Sequence, residues 1–176
     1  MFSNSIYNQP LNFNTSNVED MKGMFGNSFF NHPLNFCTYK VENMSYMFMN
    51  SKYNHPLNFD TSNVTNMSYM FLDTDFNKLL HFDTYKVTSM EYMFSGSKYN
   101  QPLNFDTSNV EDMNGMFKNS SFNQDISDWN IKDTENNKDV IKYRDECIVK
   151  RKEREAVEAS IENNKNKSHS SCGFKL

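Results

Sequence analysis

The sequence has few of the residues that carry chemistry in small domains. Its three cysteines, Cys37, Cys147 and Cys172, are scattered along 176 residues. They therefore give neither a disulfide framework nor the close spacing of a metal site. Only five glycines are present, and none belongs to a phosphate-binding loop. No run of about 18 apolar residues occurs, so the sequence predicts no membrane-spanning helix.

An excess of positive charge is lacking as well. The net charge is −4 at pH 7, which argues against nucleic acid as a partner. The sequence does not open on a basic stretch followed by an apolar run, the pattern of a secretory signal. We therefore expect an intracellular or virion-associated protein in preference to a secreted one, and a partner that is another protein or a further copy of the chain.

Aromatic residues and methionine supply much of the apolar content instead. The sequence holds 16 Phe, 9 Tyr and 12 Met, and many of them recur at a period of 23 residues. An aromatic residue followed by asparagine opens each repeat, at Tyr7, Phe30, Tyr53, Phe76, Tyr99 and Phe122. We call each repeat a rung and number it from that aromatic residue as position 1. A period so regular is typical of rungs stacked one on another.

Seven positions of each rung are apolar, namely 1, 5, 7, 12, 15, 18 and 19. In the third rung they are Tyr53, Leu57, Phe59, Val64, Met67, Met70 and Phe71. Positions 5 and 7 enclose one polar residue, which is the period of a strand with one buried face. Positions 12 to 19 fit a tight 3₁₀ or helical turn. The pattern therefore predicts a leucine-rich-repeat-like solenoid with one short β-strand per rung, 3₁₀ or helical turns, and a C-terminal α-helix.

The repeat resembles that of the BspA-type leucine-rich-repeat surface proteins. The segment 61–71 reads Thr-Ser-Asn-Val-Thr-Asn-Met-Ser-Tyr-Met-Phe, and Val-x-x-Met-x-x-Met-Phe recurs five times in register. The resemblance covers roughly residues 1–129. Proteins of this family occur on bacterial surfaces and in large DNA viruses and protists. The resemblance implies a curved stack with one strand per rung and a role in adhesion or protein binding, with no catalytic residues.

Three regions follow from where the repeat ends. Residues 1–129 are predicted as the repeat solenoid, with five full rungs and a partial rung at each end. Residues 130–163 are charged and free of Pro and Gly, which predicts a helix that either caps the last rung or binds a partner. The apolar stripe of that helix is Val140, Tyr143, Cys147 and Ile148. Residues 164–176 are expected to be a flexible tail.

Candidate metal ligands recur in the repeat, but their surroundings favour other roles. His32 and His55 share position 3 of adjacent rungs, where Lys78 follows them and disfavours a cation. Position 8 repeats an acidic residue, at Asp60, Asp83 and Asp106. The threonine after each aspartate favours turn capping over calcium binding. Ten of the 12 methionines lie at positions 15 and 18, which indicates packing and not copper binding. We expect no catalytic residue, no metal and no cofactor, and hence not an enzyme.

Two surface features are candidates for partner binding. Position 17 carries tyrosine in three successive rungs, at Tyr46, Tyr69 and Tyr92. Positions 10 and 11 carry Tyr-Lys in alternate rungs, at Tyr39, Lys40, Tyr85 and Lys86. Exposed aromatic patches of this kind are typical of protein interfaces. The alternative is that the tyrosines of position 17 shield the core between rungs.

Position 2 is asparagine in every rung, at Asn8, Asn31, Asn54, Asn77, Asn100 and Asn123. We predict that these residues form a structural ladder that hydrogen-bonds the turning backbone. The sequence as a whole predicts a non-catalytic protein–protein interaction module of the binding or adhesion type. The alternative is a structural subunit of a larger assembly such as a viral particle. Such a subunit would make contacts through its C-terminal tail and an uncapped N-terminal rung, because the sequence opens at position 18 of a rung.

Overall fold

The computed structural model describes residues 1–170, with side chains described through residue 162. Successive rungs lie on one another in register and are joined by backbone hydrogen bonds between residues 22 apart. The Met44 N–H donates to the Asn66 carbonyl over 2.9 Å, and the Met67 N–H donates to the Ser89 carbonyl over 3.0 Å. The backbone N–H groups of positions 17, 19 and 21 make the same bond to the next rung in most rungs. These bonds hold the stack together along one side.

The predicted β-strand in each rung is wrong, and with it the predicted strand-per-rung solenoid. Across the described residues the rungs share only isolated parallel bridges, at Asp20–Asn43, Asn43–Asn66, Asn66–Ser89 and Ser89–Asp112. Leu57 and Phe59 are buried on either side of exposed Asn58, as the alternation indicates. Alternation alone, however, does not make a strand, because a strand also requires a neighbour at ladder distance.

The missing strands go with a lack of backbone pairing at positions 1 to 7. Core rings at position 1, such as Phe30 and Tyr53, have centroids 6.2–6.5 Å apart from rung to rung. Rings at position 17 are closer, with Tyr46 and Tyr69 at 4.6 Å. Paired strands need a separation of about 4.8 Å. Among the described residues, no backbone N–H of positions 1 to 7 donates to a backbone carbonyl of a neighbouring rung, so these positions form no strand.

Overlapping turns replace a helix at positions 15 to 22. In the second rung the Met47 N–H donates to the Met44 carbonyl over 3.2 Å, and the Ser51 N–H donates to the Phe48 carbonyl over 3.1 Å. The third residues of these two turns, Tyr46 and Asn50, have φ of +59° and +48°. A positive φ at that place is the signature of a type II turn. Each rung thus contains two left-handed residues.

The C-terminal segment packs against the last rung. A 3₁₀ turn at Glu135–Asn137 leads into α1, Lys138–Ser170. Val140 and Cys147 of α1 are buried, and the Tyr143 hydroxyl donates to the Gln124 carbonyl over 3.0 Å. These side chains cover the open end of the core. Residues 171–176, part of the predicted tail, lie outside the described residues.

The buried Asn137 completes the backbone pairing of the fifth rung. Its Oδ1 accepts from the Met113 N–H over 2.8 Å, and its Nδ2 donates to the Lys132 carbonyl over 2.9 Å. Met113 occupies position 15, whose N–H in earlier rungs donates to the next rung. A side-chain oxygen therefore takes the place of a backbone carbonyl where the rungs stop. In the part of the chain that the structure describes, no helix combines the length and apolar character needed to cross a membrane.

Candidate interaction surface

The tyrosines of position 17 form a continuous stack of rings, here called the tyrosine column. The rings of Tyr46 and Tyr69 are 4.6 Å apart and inclined by 4°, and those of Tyr69 and Tyr92 are 5.3 Å apart and inclined by 13°. All three residues are partly exposed. The column is therefore a stacked surface feature whose rings are partly accessible.

A cation lies near each end of the tyrosine column. The Lys22 ammonium is 5.6 Å from the centroid of the Tyr46 ring, and the Lys118 ammonium is 6.0 Å from that of the Tyr92 ring. Cations over aromatic faces at this distance are attracted by the ring quadrupole. The outer ring faces are thus covered, which leaves the edges and hydroxyls as the accessible part of the column.

The backbone under the tyrosine column is strained. Tyr46, Tyr69 and Tyr92 have φ of +59°, +60° and +49°, a region that costs a residue with a Cβ about 1–2 kcal/mol. Gly23 and Gly115 occupy the same position in the flanking rungs, with φ of +60° and +61°. Glycine adopts this conformation without a steric penalty. The three middle rungs therefore carry a large side chain where the turn favours glycine.

Polar and apolar groups adjoin the column. Burial among the neighbouring rings raises the pKa of the Tyr69 hydroxyl, and a hydrogen bond with Glu91 and the charge of that carboxylate raise it further. Met49 and Leu72, at position 20, are partly exposed and end the turns that begin at Tyr46 and Tyr69. The surface thus combines aromatic and aliphatic side chains with the Glu91 carboxylate beside its centre.

The tyrosines of position 10 lie in the open. Tyr39 is 44 % exposed and Tyr85 is 61 % exposed. The Lys40 ammonium donates to Asn17 Oδ1 over 2.9 Å, and the Lys86 ammonium donates to Asn63 Oδ1 over 2.7 Å. Neither tyrosine belongs to the core. These four residues make a second aromatic and basic surface, here called the Tyr-Lys edge.

The asparagines of position 2 bond the backbone of the next rung. The Asn54 N–H donates to Asn31 Oδ1 over 2.9 Å. Equivalent bonds run from the N–H groups of Asn31, Asn77, Asn100 and Asn123 to Asn8, Asn54, Asn77 and Asn100. Most of these asparagines are exposed. Their side chains continue the rung-to-rung bonding two residues beyond backbone bonds such as that from the Lys52 N–H to the Ser28 carbonyl.

A second polar ladder was not identified from the sequence. The buried threonines of position 9 donate their hydroxyls to the carbonyl of position 8 in the next rung, as Thr61 does to Asp83 over 2.9 Å. The other members are Thr15, Thr38, Thr84 and Thr107, the last of which bonds Asn130. The signal was present, because threonine recurs at position 9 in five rungs. Its interpretation as part of an aspartate-capped turn concealed the bond between rungs.

The candidate metal ligands have local hydrogen-bond partners. His32 Nε2 lies 3.1 Å from the Asn8 carbonyl, and His55 Nε2 lies 3.0 Å from the Asn31 carbonyl. Asp60 Oδ1 accepts from the Ser62 hydroxyl over 2.6 Å and from the Ser62 N–H over 3.0 Å. These bonds hold the pKa of the Asp60 carboxyl below its usual range. Among the described residues, no group of three or more His, Cys, Asp and Glu side chains is placed to hold a metal ion.

Asp83 and Asp106 close the same kind of turn as Asp60. Asp83 Oδ1 accepts from the Tyr85 N–H, and Asp106 Oδ1 accepts from the Ser108 N–H, each over 3.0 Å. The Ser108 hydroxyl also donates to Asp106 over 2.6 Å and lowers the pKa of that carboxyl. Turn closure therefore uses one oxygen of each aspartate of position 8.

Comparison with known proteins identifies one family. Residues 1–74 and 53–150 each match the family model described as "Mycoplasma protein of unknown function, DUF285". The two matches overlap and together span residues 1–150, which include every rung. No curated protein and no solved structure matches the chain. The family description assigns no activity, so a function has to be argued from the surfaces described above.

Proposed function

We propose that this chain, which belongs to the DUF285 family, is a non-catalytic module that binds another protein through the tyrosine column. The observation that carries the proposal is the left-handed backbone of Tyr46, Tyr69 and Tyr92. Backbone strain of this kind clusters at sites where function requires a particular side chain. The flanking rungs place glycine at the same position, so the turn itself does not require tyrosine.

The composition of the surface supports the same proposal. Tyrosine is enriched among residues that dominate binding energy, and methionine is enriched in interfaces generally. Met49 and Leu72 extend the apolar area beside the column, while Glu91 provides a charge. The resemblance of the repeat to BspA-type surface proteins supports a binding role as well.

The rigidity of the column also favours binding. Each ring is held between two neighbours or between a ring and a lysine. A partner would therefore order few side chains on association, and the entropic cost of binding is correspondingly small. The ring edges offer apolar contact and the tyrosine hydroxyls offer hydrogen bonds to the same partner.

A capture experiment with matched variants tests the proposal. The full chain would be immobilised and exposed to a lysate of the organism that encodes it, in parallel with the triple variant Tyr46→Gly, Tyr69→Gly and Tyr92→Gly. Glycine suits the left-handed backbone, so the triple variant should fold. We expect the triple variant to retain roughly 10-fold less, or lower still, of at least one protein that the parent chain captures. Removal of central aromatic residues weakens an interface by this amount.

A variant of the Tyr-Lys edge serves as the control. Tyr39→Ser with Tyr85→Ser changes the same type of residue, and serine already occupies position 10 in alternate rungs. The protein identified must then be purified, and its affinity for the three chains measured directly. Equal affinity for the parent and the triple variant would contradict the proposal.

A further inference from the structure

The Tyr-Lys edge repeats every second rung. Position 10 alternates serine and tyrosine through Ser16, Tyr39, Ser62, Tyr85 and Ser108. Position 11 alternates in step through Asn17, Lys40, Asn63, Lys86, Asn109 and Lys132. No other surface position of the rung shows this doubled period in both residue size and charge. The alternation at position 11 has a use within the stack, because the Lys86 ammonium bonds Asn63 Oδ1 of the rung before it. Among the described residues, the tyrosines of position 10 make no such side-chain bond, and every second rung exposes one of them.

The rung spacing next to the edge is that of paired backbones. The Thr65 N–H donates to the Glu42 carbonyl over 2.8 Å, and Asn43 and Asn66 form a parallel bridge. These residues lie two or three positions beyond the edge in sequence. Parallel pairing sets a separation of about 4.8 Å, so two rungs span about 9.6 Å. Tyr39 and Tyr85, which are two rungs apart, are therefore separated by about 9.6 Å along the stack.

A polyproline II helix has nearly the same period. It rises about 3.1 Å per residue with three residues per turn, which places equivalent side chains about 9.3 Å apart. An α-helix repeats at about 5.4 Å, and side chains on one face of a strand repeat at about 6.6 Å. Neither of those periods matches two rungs. Only the polyproline II period brings successive turns of an extended segment onto successive tyrosines.

We infer that the Tyr-Lys edge is a binding site for a proline-rich protein segment in the polyproline II conformation. Prolines three residues apart pack on the rings of Tyr39 and Tyr85, which are 44 % and 61 % exposed. The Lys40 ammonium lies 5.6 Å from the centroid of the Tyr39 ring, so the proline packs on the opposite face of that ring. Aromatic-lined grooves are the usual recognition surface for such segments. This site is separate from the tyrosine column, and neither proposal depends on the other.

The lysines of the edge supply hydrogen-bond donors to the same segment. Lys40 and Lys86 each give one N–H to an asparagine Oδ1, and an ammonium group has three donors. The backbone carbonyls of a polyproline II helix have no internal partners. Each lysine can therefore bond the ligand backbone once per turn without losing its own anchor.

The intervening rungs hold the edge in place. The Asn63 Nδ2 donates to the Tyr39 carbonyl, and the Asn109 Nδ2 donates to the Tyr85 carbonyl, each over 2.7 Å. Ser62 lies between the two tyrosines, and its hydroxyl donates to Asp60 over 2.6 Å. A small residue thus lies at position 10 between the two tyrosines, and one turn of the ligand passes over it.

Fluorescence anisotropy with labelled decaproline tests the inference on the full chain. We expect saturable binding in the micromolar range, and a loss of about 10-fold or more in Tyr39→Ser with Tyr85→Ser. Ser62→Tyr is the decisive variant, because position 10 accepts tyrosine and the new ring would stand where that turn of the ligand passes. It should weaken decaproline binding by a similar factor. Tyr69→Gly, in the tyrosine column, should leave the affinity within about twofold.

Three outcomes would overturn the inference. The first is no binding of decaproline up to about 1 mM, the limit of a specific weak complex. The second is tighter binding to the Ser62→Tyr variant, which would show that ring number and not ring spacing determines affinity. The third is binding of cellohexaose in place of decaproline, which would assign the edge to carbohydrate. None of these outcomes bears on the tyrosine column, whose test depends on the triple variant Tyr46→Gly, Tyr69→Gly and Tyr92→Gly.

Discussion

The ring of Tyr92 occupies the space that a side chain at Gly115 would need. A Cβ added at Gly115 would lie 2.5 Å from Tyr92 Cε1 and 2.8 Å from its Cζ. Both residues occupy position 17 of their rungs and both have a positive φ. The tyrosine column therefore ends on a glycine for a steric reason as well as a conformational one.

Replacing that glycine should cost more than replacing its counterpart at the other end. Gly115→Ala adds a left-handed alanine and displaces the Tyr92 ring, so we expect a loss of about 2–3 kcal/mol in the free energy of unfolding. Gly23→Ala has the same φ but nothing within 4 Å of the added carbon. Gly23→Ala should lower the free energy of unfolding by only about 1 kcal/mol, the strain of a left-handed alanine. Urea unfolding of both variants measures the difference, and equal losses would show that the ring moves aside freely.

Glycine should be preferred over alanine within the column. Tyr69→Ala removes the stacked ring but keeps the left-handed strain, whereas Tyr69→Gly removes both. We expect the glycine variant to be the more stable of the two by about 1 kcal/mol. Tyr85 is not among the residues with positive φ, so the order should reverse there. We expect Tyr85→Ala to be more stable than Tyr85→Gly by about 0.5–1 kcal/mol. Thermal unfolding of the four variants checks both orders, and alanine ahead at both positions would contradict the strain argument.

The cap at Asn137 should be essential for the last full rung. Asn137→Leu leaves the Met113 N–H buried without a partner, whereas the Lys132 carbonyl keeps its bond from the Thr134 N–H, so the loss should be about 1–3 kcal/mol. Amide hydrogen exchange at Met113 should quicken in the same variant. Asn136→Ala is the control, because Asn136 is exposed and bonds only the Asp112 carboxylate. Unchanged exchange at Met113 would show that another group pairs with this amide.

Acid should weaken the docking of α1 on the last rung. The pKa of Asp125 lies below its usual range because Ser127 donates its hydroxyl and N–H to it, with smaller contributions from Arg151 and Arg154. Arg151 likewise lowers the pKa of Asp128. A depressed pKa in the folded state stabilises the protein above the unfolded pKa of about 3.9, and this stabilisation disappears as pH falls through the folded value.

Carboxyl NMR titration measures this effect directly. The Asp125 resonance should titrate below the value of an unstructured peptide, and Ser127→Ala should move its midpoint upward. The urea midpoint of the parent chain should fall between pH 6 and pH 3, in the direction set by linkage. A smaller fall is expected for Asp125→Asn. An identical fall in both chains would place the acid sensitivity elsewhere.

Much of the stack was predictable from the sequence because burial follows side-chain chemistry. Leu57 and Phe59 recur with the 23-residue period, and both are buried. The strand predicted around them was wrong because pairing depends on the distance between backbones. Positions 1 to 7 make no backbone-to-backbone bond to a neighbouring rung among the described residues, and the sequence of a single rung carries no record of that.

The candidate surfaces divide in the same way. Sequence alone determined which residues recur at positions 10, 11 and 17, since a period can be read without coordinates. Only the tertiary structure decided that the Tyr69 ring stacks between two others on a left-handed backbone. Glycine at the same position of other rungs was a signal for that backbone conformation. The cap at Asn137 lies outside the regular pattern. Its role exists only where a rung ends and a buried amide must find another partner.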